Sequence, residues 1–333
     1  MRRWNVAITG FGRVGKAVAA LLLSRRARYQ ALYEADVRLT AICGSRAGSI
    51  NDDGLGEGRL AENELTPGLS GITVLASAPV DVLIEAGPTD FRTGGPGYGY
   101  IKAALAAGRH AIAISKGALV FDGRGLRALA ERNEVSLKIS GATAAALPTI
   151  DLLEYNLAGC EVLRVEGILN ATSNHLLTAM AEQGLDFAEA LRRAQRAGIA
   201  EADPSFDTGG WDTACKLLIL ANFGLGADLA LDDLSVGGIQ NVTRAQMEEW
   251  RAAGLVPKLV GHLARSGDGL HAGVELRTYP ASDAFALVQG KNKAIRVTTD
   301  AMGEILAVGC GPEPMATAAA ALKDLEHILM RRR

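Results

Sequence analysis

The chain has 333 residues, 48% of them hydrophobic, and 35 basic against 37 acidic side chains give a formal net charge of -2. That length accommodates two domains with separate cores, and the composition excludes a disordered chain. The charges are well mixed, so neither nucleic acid nor a membrane surface is expected as a partner.

The chain opens with "WNVAITGFGRVGKAVAALLLSRR", a short apolar run, a glycine turn and a run of good helix formers. This reads as strand, turn and helix. In the GxGxxG pattern Gly10 permits a tight turn, Gly12 lets backbone approach a pyrophosphate, and Gly15 lets helix and strand pack closely. The phosphates of a dinucleotide then meet N–H groups at a helix N-terminus. A second strand, "VRLTAIC", follows, and "VDVLIEAGPT", "RHAIAIS" and "VSLKIS" alternate with helices such as "GYIKAALAAG" and "RGLRALAERN". Strands separated by helices imply crossover connections and a parallel sheet, so the expected fold is α/β, with a Rossmann-type nucleotide domain over residues 1–140.

After the second strand an NAD-specific site usually carries an acid for the ribose hydroxyls. This chain has "CGSRAG" there, and Ser45 with Arg46 suits a 2'-phosphate, which favours NADP over NAD. Residues 48–71, rich in glycine and acids, read as a loop over that end of the site, with Arg59 a lesser candidate to assist.

The second half changes character. "LPTIDLLEYNL" reads as a helix, "CEVLRVEGILN" as a strand, and "SNHLLTAMAEQG" and "DFAEALRRAQRAG" as helices ended by glycine. Beyond a polar helix, "TRAQMEEWRAAG", the segments "KLVGHLARSG", "LHAGVELRTYP", "FALVQG" and "KAIRVTTD" read as strands at hairpin-like spacing. An α+β second domain is therefore placed at 141–305, followed by a last helix within 306–330. The closing "RRR" reads as a solvated helix end. Cys43, Cys160, Cys215 and Cys310 form no CxxC pair, so neither zinc nor a disulfide framework is expected and a reducing cytoplasm fits. No signal segment opens the chain, and no apolar run is long enough to span a bilayer.

The segment "EADPSFDTGGWDTACK", Glu201 to Lys216, gathers four carboxylates around one lysine ahead of the apolar "LLILANF". Asp212 and Lys216 are four residues apart and share a helix face, while Trp211, Ala214, Cys215, Leu217 and Leu218 fill nearly every other direction. A surface pair contributes a few tenths of a kcal/mol, roughly, and needs no such apolar surround. The pattern points to a cleft where Glu201, Asp203, Asp207 and Asp212 receive the ammonium and alcohol of a small zwitterionic substrate.

On this block the chain resembles the homoserine dehydrogenases, whose signature has an acid, Asp-Pro, Asp, Gly, Asp and Lys in this order: here Glu201, Asp203-Pro204, Asp207, Gly210, Asp212 and Lys216. The likeness extends through "GFGRVG", "EAGPTD", "GRHAIAISKG", "GILNATSNHLLTAM" and "GCGPEPMATAAAALKDL". It implies reversible, NAD(P)-dependent interconversion of L-homoserine and L-aspartate 4-semialdehyde, on the route to threonine, methionine and isoleucine. It also implies Lys216 as the proton carrier, Lys116 beside the nicotinamide, and Glu201, Asp207 and Asp212 as substrate-binding acids. By the same resemblance Gly10, Gly12, Arg13, Val14, Gly15, Arg46, Thr89, Ser115, Lys116, Gly198 and Gly311 contact the cofactor. The resemblance implies a catalytic and dimerisation role for 141–305, a homodimer formed through segments near 148–160 and 272–305, a last helix within 306–330 that returns to the nucleotide domain, and a short form without an ACT or kinase module.

The departures from the family pattern define the alternatives. Ser115 stands for the usual asparagine and Ser140 for a glutamate that helps bind a monovalent cation, so no metal site is expected. Ala171 and His175 replace a glycine and an aromatic, and Pro312-Glu313 interrupts the C-terminal glycine motif. A dehydrogenase of the same fold acting on another small amino or hydroxy acid, and a non-catalytic nucleotide-binding paralogue, are the competing readings.

Overall fold

A computed structural model describes residues 1–60, 65–266 and 269–330. The final three arginines and the side chain of Arg59, both singled out above, lie outside the described residues. The chain divides into two compact units, Met1–Ala146 with Gly311–Arg333, and Leu147–Cys310.

The first unit is built on a seven-stranded sheet of β1 (Arg2–Thr9), β2 (Ala35–Cys43), β3 (Ala47–Ile50), β4 (Thr66–Pro67), β5 (Val82–Glu85), β6 (His110–Ala113) and β7 (Leu137–Lys138), in the order β4-β3-β2-β1-β5-β6-β7. The five strands β2, β1, β5, β6 and β7 run parallel. Val6, Ala7, Ile8, Val82, Leu83 and Ile84 have no exposed surface, the near-continuous burial of strands covered on both faces. Part of the loop expected over 48–71 is instead two short antiparallel edge strands, β3 on β2 and β4 on β3. Their glycine and polar content suits an edge and hides the strand signal. The helix Met315–Met330 completes this unit, packing Ala318, Ala321, Leu322, Leu325 and Ile328 into the core of Ile8, Val18, Leu22 and Tyr29.

The second unit has a six-stranded sheet of β8 (Val162–Ile168), β9 (Ser235–Val236), β10 (Leu255–Ser266), β11 (Gly269–Pro280), β12 (Lys293–Thr299) and β13 (Glu304–Gly309), in the order β13-β12-β8-β10-β11-β9. All its pairings are antiparallel except β11 with β9. The expected strand "FALVQG" is a turn-rich connection, and its Phe285, Ala286 and Val288 plug a small core against Ile168, Val260 and Ala294. Phe285, Ala286 and Val288 reflect burial, not a strand face, while Leu287 is exposed. Lys258 is 1% exposed beneath this plug and donates to the Val288 carbonyl and to Asn174 Oδ1. Burial pushes its ammonium pKa down to about 8.

Gly261 on β10 would place a Cβ 3.1 Å from Thr213 and 3.3 Å from Leu217, so its lack of a side chain seats the helix Trp211–Ile219 closely on the sheet. Ala214, Cys215, Leu217 and Leu218 are buried as expected, but Trp211, at the first turn, is 41% exposed. The turn through Gly209 and Gly210 directs it away from the core.

Candidate active site

The carboxyl ends of β1 and β5 open at the point where the strand order reverses, the usual ligand crevice of a doubly wound sheet. A cavity of about 770 Å³ lies there, walled by Gly10 to Val14, Lys16, Gly44 to Ala47, Leu65 and Ala86 to Pro88. Gly10 is left-handed (φ 82°), and a Cβ on it would strike the Ala86–Gly87 peptide, so only glycine makes this turn. Gly15 presses on the carbonyl of Gly10 in the same way, whereas around Gly12 the space is open. The helix Arg13–Ser24 begins here without a side-chain cap, which leaves its first N–H groups for an anion. Arg13, Lys16, Ser45 and Arg46 contribute to the wall, and no acid does. These residues fit a dinucleotide with phosphate at more than one point.

Ser115 is buried at the end of β6, and its hydroxyl hydrogen-bonds to the carboxylate of Glu85. Lys116 follows as the half-buried N-cap of the helix Gly117–Arg132. Thr89 comes directly after the cavity wall residue Pro88 and is half-buried. Gly311 lies in the first unit, where a Cβ would sit 2.7 Å from that of Ala316. Ser140, at the family's glutamate position, donates to Asp324 at 2.7 Å and accepts from Lys323 Nζ at 2.7 Å.

In the second unit a buried polar cluster surrounds Lys216. Its Nζ donates to Asp212 Oδ2 at 2.6 Å and to the Leu169 carbonyl at 2.8 Å. An ammonium has three donors, so one remains for a further acceptor. Asn170 Nδ2 donates at 2.8 Å to both Asp212 Oδ2 and Asp207 Oδ1. Its Oδ1 caps the helix Ala171–Gln183 by accepting from Ser173 N at 2.8 Å. The amide thus ties the helix start, the short helix Ser205–Thr208 and the helix Trp211–Ile219 at one point. The lysine side chain is 13% exposed and that of Asp212 7%, so their ion pair is shielded from water on most sides.

The collar is narrower than the four acids of the sequence. Asp207 and Asp212 join the cluster, but Asp203 is exposed and accepts from Ser205 N. Glu201 is exposed and has no place in the hydrogen bonds around Lys216. Gly198 sits left-handed (φ 67°) in the turn that ends the helix Phe187–Arg196. His175 is partly buried, and that burial with nearby Lys291 lowers its pKa. Asn170 and Glu85 fall within the motifs "GILNATSNHLLTAM" and "EAGPTD", but no role follows for them from the sequence. An asparagine directly before a helical run signals a cap, and an acid closing an apolar strand signals a buried carboxyl, but neither pattern names its partners.

The chain is similar to known proteins over nearly its whole length. The family model for homoserine dehydrogenase matches residues 148–325, and that for the homoserine dehydrogenase NAD binding domain matches residues 10–139. The chain is 33% identical over 335 residues to the homoserine dehydrogenase of Methanocaldococcus jannaschii, covering 97% of this chain and 98% of that one. It is 34% identical to an NAD(+)-dependent homoserine dehydrogenase of Pseudomonas canavaninivorans, with 98% and 97% covered. The crystal structure of a candidate homoserine dehydrogenase from Archaeoglobus fulgidus superposes with a TM-score of 0.90 at 34% identity, covering 98% of this chain and 99% of that one. The chain belongs to the homoserine dehydrogenase family.

Proposed function

We propose that the chain interconverts L-homoserine and L-aspartate 4-semialdehyde with NADP as its preferred cofactor. The observation that carries this reading is the buried Lys216–Asp212–Asn170–Asp207 cluster in a member of this family. Gly10, Gly12, Arg13 and Arg46 would hold the dinucleotide, which when bound would supply the hydride chemistry in either direction. Lys216 moves the accompanying proton: neutral, it takes the proton of the substrate hydroxyl, and as ammonium it returns a proton to the carbonyl oxygen. The Asp212 carboxylate, 2.6 Å from Nζ, orients the amine. Asp207, with Glu201 and Asp212, receives the substrate ammonium, and Lys116 assists.

The preference for NADP rests on Arg13, Lys16, Ser45 and Arg46 in a cavity wall that has no acid to accept from ribose hydroxyls. Gly10, Gly12, Val14 and Gly15 shape the same wall, with Thr89, Ser115, Gly198 and Gly311 as further cofactor contacts. We assign catalysis and homodimerisation to the second unit. The four free cysteines accord with work in a reducing cytoplasm, and among the described residues no helix is long and apolar enough to cross a membrane.

The test follows reduced-nicotinamide absorbance with homoserine plus NADP or NAD, alongside a panel of small hydroxy and amino acids. Turnover with homoserine is expected, faster at limiting NADP, and Lys216→Ala should abolish it while NADPH binding survives. Absence of homoserine turnover, or full activity of Lys216→Ala, refutes the assignment.

A further inference from the structure

The reaction as assigned leaves Glu85 without a part, yet the fold invests heavily in it. It ends β5 with 1% of its surface exposed. Among the described residues its carboxylate has no basic partner: Gly87 N donates to Oε1 at 2.7 Å, and the Ser115 hydroxyl donates to Oε2. A Cβ on Gly87 would lie 2.6 Å from Oε1, and one on Gly97 would lie 2.9 Å from Cδ. Two glycines therefore leave the room that the carboxyl fills. Burial raises its pKa, the mark of a group held at a cost that an apolar side chain of the same size avoids.

The residues that donate to it, Gly87 and Ser115, are informative. Gly87 belongs to the wall of the dinucleotide cavity, and Gly10 turns against the same Ala86–Gly87 peptide. Ser115 immediately precedes Lys116, whose backbone starts the helix Gly117–Arg132. One carboxyl thus joins a wall of the cofactor cavity to the strand end that presents a lysine.

We propose that Glu85 is a positioning residue, which locks the Gly87 and Ser115–Lys116 segments into one frame and so fixes the backbone from which Lys116 projects beside the bound dinucleotide. This deepens, and rests on, the roles given above to the cavity and to Lys116. Glutamine has the same shape: its Oε1 accepts from Gly87 and its Nε2 donates to the Ser115 hydroxyl, which accepts once rotated. Alanine leaves both groups without a partner.

The experiment compares wild type, Glu85→Ala, Glu85→Gln and Ser115→Ala at a temperature where thermal melts show each folded. Measurements are NADPH affinity by fluorescence titration, and kcat and KM for homoserine. Glu85→Ala should weaken NADPH binding about tenfold and lower kcat by up to about 10²-fold through misplaced groups, with KM for homoserine little changed. Glu85→Gln should recover most of both losses, and Ser115→Ala, which spares the core, should move in the same direction as alanine at 85. Wild-type values in Glu85→Ala, or a loss in Glu85→Gln equal to that in alanine, overturn the proposal. If Glu85→Ala does not fold, Ser115→Ala decides, and unchanged affinity and kcat there overturn it. If wild type fails to oxidise homoserine, the function assigned above falls, and NADPH affinity alone upholds or overturns the lock by the same pattern.

Discussion

Asn170→Ala tests the second unit at its most connected point. The amide makes hydrogen bonds of 2.8 Å to Asp207, Asp212 and Ser173 N. Loss of the helix cap costs about 1 kcal/mol. Each hydrogen bond to a carboxylate contributes roughly 1.5–3 kcal/mol, with Asp212 at the upper end because it is buried and Asp207 at the lower because it is half-exposed. The sum, about 5 kcal/mol, becomes a fall of roughly 10–20 °C in Tm at about 2–4 °C per kcal/mol for a unit of this size. Activity should fall as well, because Asp212 loses a donor that holds it against Lys216. Asn170→Asp separates the contributions: it keeps the cap but sets a third carboxylate against two. That carboxyl's pKa is raised in the folded state, so the deficit relative to wild type should shrink as pH falls from 7 toward 4. Thermal melts by circular dichroism and homoserine oxidation provide the readouts. An Asn170→Ala protein melting within about 2 °C of wild type refutes the reasoning, because even the cap alone predicts more.

Arg46→Ala should raise KM for NADPH about tenfold and leave that for NADH nearly unchanged, as expected for loss of one exposed charge on a phosphate; steady-state kinetics with both cofactors decide it. Glu85→Gln should raise stability at pH 8 and not at pH 4. The wild-type carboxyl has a raised folded pKa, so its favourable contribution is complete below its unfolded value of 4.5 and disappears as pH rises through the folded one. Denaturant midpoints at the two pH values check this. Lys258 is the opposite case, its pKa lowered from 10.5 to about 8, so the unfolded chain binds more protons between those values and stability gains from rising pH there. Urea titrations at pH 7.5 and 9.5 should show that gain in wild type and its absence in Lys258→Met; equal slopes in the two proteins contradict the assigned titration.

What the sequence disclosed was local. The GxGxxG turn and the Asp212–Lys216 pair are determined by neighbours within one or two turns, so spacing alone carried them. Asn170 was not recognisable in its bridging role because its carboxylate partners lie 37 and 42 residues away. Glu85 and Ser115 are separated by 30 residues and meet only because β5 and β6 are adjacent. Glu201 and Asp203, next to the lysine block along the chain, are exposed before the turn at Pro204, and spacing alone does not tell an acid inside the hydrogen-bonded cluster from one at its rim. "FALVQG" was misread because burial under a sheet and membership of one demand the same residue types.

The split composition of the first unit bears on how the molecule is made. A nascent chain emerges from the ribosome with the dinucleotide sheet already synthesised, but the residues that close its core, Ala318, Leu322, Leu325 and Ile328, arrive last. By then the inserted unit has all its strands, and domains generally fold as units during synthesis. Premature termination after Cys310 accordingly yields a finished insert joined to a bare apolar face, a species open to chaperone capture and to proteases, which limited trypsin digestion of such a truncation can reveal by cleavage confined to the leading segment.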